Sequence, residues 1–112
     1  MSITGDLIRG HTDAIILARL IRSDSYGYEI NREISNLSGG KFELKEATLY
    51  TAFKRLEEAG FIVSYWGDSG AGARRRYYTI TMKGKTESGR LREEWQETKE
   101  IMDKLLEERE TL

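Results

Sequence analysis

Two short basic clusters hold the side chains best suited to chemistry in this chain. Lys54-Arg55 lies inside the run from Glu46 to Phe61, and Arg74-Arg75-Arg76 follows the glycine-rich stretch Gly67 to Gly72. Guanidinium and ammonium groups at this density bind anions, above all rows of phosphates. Other chemistries lack their residues. There is no cysteine, and a single histidine, His11, cannot build a metal site without several converging carboxylates. The carboxylate pairs Glu57-Glu58, Glu93-Glu94 and Glu107-Glu108 fall on helical stretches, where adjacent positions point in different directions, so they read as solvated faces rather than acid-base pairs. The glycine-rich stretch lacks the Gly-Lys-Ser/Thr ending of a nucleotide loop and leads into no helix. No catalysis, metal or cofactor is expected.

The elements that must position these cations are four predicted helices and one hairpin. From about Gly5 to Arg22, apolar residues including Leu7, Ile8, Ile15, Ile16, Leu17, Leu20 and Ile21 crowd more than one face, predicting a helix that touches both the core and a partner. Ser23-Asp24-Ser25 supplies cap chemistry for a second helix carrying Tyr26, Ile30, Ile34 and Leu37, which ends at Ser38-Gly39-Gly40. After an extended piece around Lys41 to Leu44, Leu49, Ala52, Phe53 and Leu56 form one stripe of a third helix, stopped by Gly60. Phe61 to Trp66 and Arg76 to Thr81 read as strands, with Gly67 to Gly72 as the turn. A last helix carries Leu91, Trp95, Thr98, Met102 and Leu105 at alternating spacings of four and three, a heptad seam widened by Ile101 and Leu106. The expected fold is mainly α with a small β-hairpin. It divides into a reading unit, residues 1–81, and a C-terminal dimerisation helix, residues 82–112.

On the third helix, Thr48, Thr51, Lys54, Arg55 and Glu58 project away from the apolar stripe. A helix of this kind fits a DNA major groove, with short polar side chains at its leading end, Tyr50 near the start able to donate to a phosphate, and Lys54 and Arg55 reaching phosphates or base edges. Alternation places Arg74 and Arg76 on one side of the hairpin and Arg75 on the other, so the arginines straddle the base of its tip. Recognition helix plus basic wing is the expected DNA-binding unit, with Lys45, Thr48, Tyr50, Thr51, Lys54, Arg55, Arg74, Arg75 and Arg76 as its contacts. The bland alternatives are a solvated surface helix and a charged edge that guards the hairpin against pairing.

Whole-chain charge tempers this expectation. In 112 residues, 18 Lys and Arg face 19 Asp and Glu, for a net charge of −1. Basic excess is local, 7 cations against 5 anions between Lys41 and Arg76, so firm binding needs two units acting together and weakens steeply with salt. A two-fold dimer through the Leu91 to Leu105 seam would set two recognition helices about 34 Å apart, matching a pseudo-palindromic operator in double-stranded DNA. The acidic balance favours one alternative, a winged-helix protein interaction module without direct DNA readout. No apolar run is long enough for a membrane span, and no basic segment with apolar stretch and cleavage site opens the chain, so a cytoplasmic protein is expected.

Tyr26-Gly27-Tyr28-Glu29-Ile30, Ala47-Thr48-Leu49-Tyr50, Arg55-Leu56-Glu57 with Gly60, and Arg74-Arg75-Arg76-Tyr77-Tyr78 with Thr81 and Gly84 resemble the PadR family of bacterial transcriptional regulators over nearly the whole chain. The resemblance implies a winged helix-turn-helix with a C-terminal dimerisation helix, acting as a repressor. It is strongest to a drug-responsive branch, which implies a pore at the dimer centre where Trp95 and its symmetry mate sandwich a flat aromatic small-molecule effector. Leu7, Asp13, Ala14, Thr98 and Met102 would line that pore, with Asp13 offering a negative charge to a cationic compound. Two residues depart from the pattern. Thr51 stands where many members have proline, and Lys99 where the drug-responsive branch is acidic, which implies either a preference for neutral or anionic compounds or a different effector molecule entirely.

Overall fold

In the computed structural model, which describes residues 3–68 and 74–108, five helices and three strands follow one another. They are α1 (Ile3–Arg9), α2 (Thr12–Arg22), β1 (Ser25–Tyr26), α3 (Gly27–Leu37), α4 (Glu46–Glu58), β2 (Ile62–Asp68), β3 (Arg74–Ile80) and α5 (Met82–Leu106). The single helix expected from Gly5 to Arg22 is therefore two. The chain turns at Gly10-His11, where the His11 amide donates to the Ile8 carbonyl at 2.8 Å and the Thr12 hydroxyl donates to the Arg9 carbonyl at 2.6 Å. This turn frees α2 to bury Ile16, Leu17 and Leu20 together, while Leu7 on α1 stays exposed.

Strand β1 is a second departure. Ser25 and Tyr26, expected as a cap and a first helical residue, pair with Tyr78 and Tyr77 of β3, giving an antiparallel sheet of order β1-β3-β2. Helix α3 begins one residue later, at Gly27, where a Cβ would meet the Tyr50 hydroxyl oxygen at 2.9 Å. Ile30 and Ile34 point into the core, but Leu37, predicted with them, is 67% exposed. Gly39 and Gly40, both at positive φ, reverse the chain after α3. The stretch around Lys41 to Leu44 is a clamped loop. Asn31 donates from Nδ2 to the Leu44 carbonyl at 2.7 Å and accepts from the Leu44 amide at 2.8 Å, holding Phe42 and Leu44 buried.

Helix α4 follows its pattern closely: Leu49, Ala52, Phe53 and Leu56 are each 1–2% exposed. They meet α2, and the Phe53 ring stacks on Tyr78 of β3 at 4.0 Å between centroids. Strands β2 and β3 pair from Ile62↔Ile80 to Asp68↔Arg74. Gly67 and Asp68, expected in the turn, belong to β2, and Arg74 and Arg75 belong to β3; the rest of the expected turn lies outside the described residues. Thr81 caps α5 by accepting from the Gly84 amide at 3.0 Å. Gly84 is required there, because a Cβ would collide with the Phe61 carbonyl oxygen and lie 2.7 Å from Ile80 Cγ1.

Burial of α5 on the body is confined to its first part, although Trp95 still reaches His11. Gly84 and Ser88 are buried and Leu91 lies against the core, whereas every residue from Arg92 to Glu108 is exposed. Leu91, the first residue of the expected dimer seam, is partly buried against its own subunit's core. Trp95, Met102 and Leu105 do form an exposed apolar strip, together with Ile101 and Leu106.

Candidate nucleic-acid interface

The buried stripe of α4 fixes which of its residues look outward. Opposite Leu49, Ala52 and Leu56 lie Ala47, Thr51, Lys54 and Glu58, all exposed. Tyr50 flanks this face on the α3 side, 47% exposed, its ring edge-on to Phe53 at 5.7 Å. Lys45 precedes the first turn with an extended backbone and is exposed. Thr48 and Arg55 flank the opposite side, toward α2. Arg55 is engaged there. Its Nη2 pairs with Asp13 Oδ1, and its Nε donates to Asp13 Oδ2 at 3.3 Å, a hydrogen bond that raises the Arg55 pKa.

The wing arginines each lie against a ring. Arg74 sits over Trp66 at 5.4 Å and Arg76 over Tyr78 at 5.8 Å, while Arg75 lies over Tyr26 at 4.5 Å and donates to its hydroxyl at 3.1 Å. These ring contacts hold three cations in place on an exposed surface. Arg76 also pairs with Glu57 of α4 at 3.2 Å, and the Ser64 hydroxyl of β2 donates to the other oxygen of that carboxylate at 2.8 Å. Glu57, read in the sequence as part of a solvated pair, is the junction between helix and wing. Its partners lie 7 and 19 residues away, a separation that helical periodicity does not reveal. On the outer face of the sheet Tyr65 stacks on Tyr77 at 5.6 Å and donates to Asp24 at 2.7 Å, which raises the Tyr65 pKa.

Between α2, α4 and α5 lies a cavity of about 570 Å³, lined in part by Asp13, Ala14, Thr48, Thr51, Arg55, Trp95 and Thr98. The indole of Trp95 meets His11 edge-on at 5.2 Å. Four of the six expected ligand residues, Asp13, Ala14, Trp95 and Thr98, therefore converge within one subunit. Leu7 and Met102 do not line this cavity; both are exposed. A neighbouring hollow of about 460 Å³ is walled mainly by apolar residues, among them Ile8, Ile15, Ile34, Leu37 and Leu91. Among the described residues no group of three or more His, Cys, Asp or Glu could hold a metal ion, and no helix is long and apolar enough to cross a membrane.

A helix presented outward from a small helical core and followed by a two-stranded hairpin is a winged helix-turn-helix, the architecture of a DNA-binding regulator. Residues 16–90 match the transcriptional regulator PadR-like family, and the chain belongs to that family. An uncharacterized protein of Lysinibacillus sphaericus is 49% identical over 105 residues, covering 94% of this chain and 96% of the relative. Among solved structures, a transcriptional regulator from Clostridium thermocellum superposes with a TM-score of 0.85 at 44% identity, covering 95% of this chain and all of that one. A PadR family transcription regulator from hypervirulent Clostridium difficile gives 0.74 at 36% identity, over 87% of this chain and 99% of the other. The family is one of transcriptional regulators rather than enzymes.

Proposed function

We propose that the protein is a homodimeric repressor that sets α4 of each subunit in successive major grooves of a pseudo-palindromic operator and lays its wing along the adjoining backbone. The observation that carries this reading is the common exposure of Thr51 and Lys54 on α4 and of the arginines on β3, joined through Glu57. Lys45, Thr48 and Tyr50 position the leading end of the helix, Lys54, Arg74 and Arg75 supply phosphate contacts, Arg76 ties the wing to α4 through Glu57, and Thr51 lies nearest the base edges. The dimer forms through the strip of Trp95, Thr98, Met102 and Leu105, since an exposed helix of this length with Ile101 and Leu106 beside it needs a second apolar surface. Titration of a duplex selected by the wild-type protein tests the DNA reading. Lys54→Ala and Arg75→Ala should each weaken binding and lower the salt slope by about one, the counterion that a single neutralised phosphate releases. Unchanged affinity and salt slope in both would refute it.

The cavity beside Trp95 supports a second part of the proposal, an effector of flat aromatic type like those implied by the drug-responsive branch. Its walls combine the indole with the Thr48, Thr51 and Thr98 hydroxyls, a setting for a planar molecule bearing polar groups. Binding should quench tryptophan fluorescence and release DNA. If Trp95→Ala still releases DNA at the wild-type effector concentration, this part of the reading ends and the DNA reading stands.

A further inference from the structure

We infer that Arg55 is the positioning residue of the recognition helix, tethered by Asp13, rather than one of its DNA-reading cations. The inference rests on the DNA-binding reading of α4. Arg55 stands one turn beyond Thr51 and two beyond Thr48, and all three line the wall facing α2 and Trp95. Its guanidinium reaches across 42 residues of sequence to both oxygens of Asp13, in the first turn of α2. Apolar contact between the two helices, through residues such as Leu17, Leu20, Leu49 and Leu56, has no preferred direction, and the Glu57 contacts hold α4 only on its wing side. A forked guanidinium-carboxylate pair fixes the rotation of α4 on the side facing α2. The pair is also neutral as a unit, so it adds no net attraction for phosphates, unlike Lys54 on the outward face. Helix α2 meets α5 as well, where His11 touches Trp95, so the tether aligns the reading helix with the helix that carries the dimer strip.

The tether and the reader predict opposite signs. Affinity for a duplex of roughly three helical turns, selected from a random library by the wild-type protein, is measured across a salt series for Asp13→Asn, Arg55→Gln and the exchanged pair Asp13→Arg with Arg55→Asp. Thermal melting confirms that each variant folds. For a tether, both single variants lose about fivefold in affinity with the salt slope unchanged, and the exchanged pair recovers most of that loss although it places an acidic residue on α4. Lys54→Ala, by contrast, lowers the slope. A drop in slope for Arg55→Gln equal to that of Lys54→Ala, or a gain in affinity for Asp13→Asn because a cation has been released, overturns the inference. If the exchanged pair does not fold, the sign of Asp13→Asn decides alone. Wild-type protein that selects no duplex defeats the DNA-binding reading itself, an outcome distinct from a wild type that binds while its variants follow the reader pattern.

Discussion

Replacing Leu105 with alanine isolates the contribution of the α5 strip to assembly. Leu105 is 73% exposed in the single subunit and lies beyond the part of α5 that packs on the body, so the substitution leaves the subunit's own core intact. Full burial of a leucine side chain is worth about 1.5–3 kcal/mol, and about three quarters of that, roughly 1–2 kcal/mol, is still to be gained by Leu105 in the proposed dimer. Two-fold symmetry counts the change twice, giving roughly 2–4 kcal/mol and weakening dimerisation by about thirty- to a thousandfold. Sedimentation across a concentration series reads this directly, with Glu100→Ala, opposite the strip on the same helix, as the control. DNA affinity should fall in parallel at protein concentrations where the variant is monomeric. A dimer constant that Leu105→Ala leaves within about twofold of wild type, or one that Glu100→Ala shifts equally, would show that this strip is not the interface.

Gly84→Ala should destabilise the fold by about 1–3 kcal/mol, since the new methyl meets backbone at Phe61 that cannot move without carrying β2 with it; an unchanged melting temperature would contradict the close approach. Asn31→Ala strips both hydrogen bonds from the Leu44 backbone and should cost about 1–3 kcal/mol, with earlier amide exchange at residues 41–45 as its local signature. Glu57→Gln should weaken DNA binding modestly by loosening Arg76 and Ser64 from α4, while Glu58→Gln, on the exposed face, should raise affinity slightly by removing a negative charge; equal effects from the two would refute the junction. Arg90, hydrogen-bonded to Glu87, lowers the Glu87 pKa, so the stability this pair contributes is present above the ordinary glutamate range and is lost as pH falls through the lowered value. Glu87→Gln should accordingly flatten the acid limb of the stability curve and leave its neutral and alkaline parts unchanged in shape, as monitored by melting across pH.

What the sequence disclosed followed from local spacing. The α4 stripe was legible because Leu49, Ala52, Phe53 and Leu56 repeat at one helical period and bury together against a single surface. The hairpin was legible because β-branched and aromatic residues flank a glycine-rich stretch, although turn composition alone misplaced Gly67 and Asp68. The break at Gly10-His11 was hidden because apolar residues crowd both sides of the expected helix, which blurs the face whose rotation would mark a turn. Strand β1 owes its conformation to pairing with Tyr77 and Tyr78, some fifty residues away, and its two residues carry too short a pattern to announce it. Leu91 keeps the heptad spacing of the strip yet faces its own core, since periodicity specifies a face and not whose surface covers it. Arg55 and Glu57 fall on the helix that periodicity predicts, but their partners Asp13, Ser64 and Arg76 come from other elements, and only tertiary structure brings them together.

The Glu57 junction bears on which DNA sequences this protein can choose. A reading helix bolted to its wing behaves as a caliper of fixed opening, so the distance between the major groove and the neighbouring backbone must be met by the duplex. Sequences that bend or narrow a groove at little cost, such as those with flexible pyrimidine-purine steps between helix and wing, would then be favoured at base pairs no side chain touches.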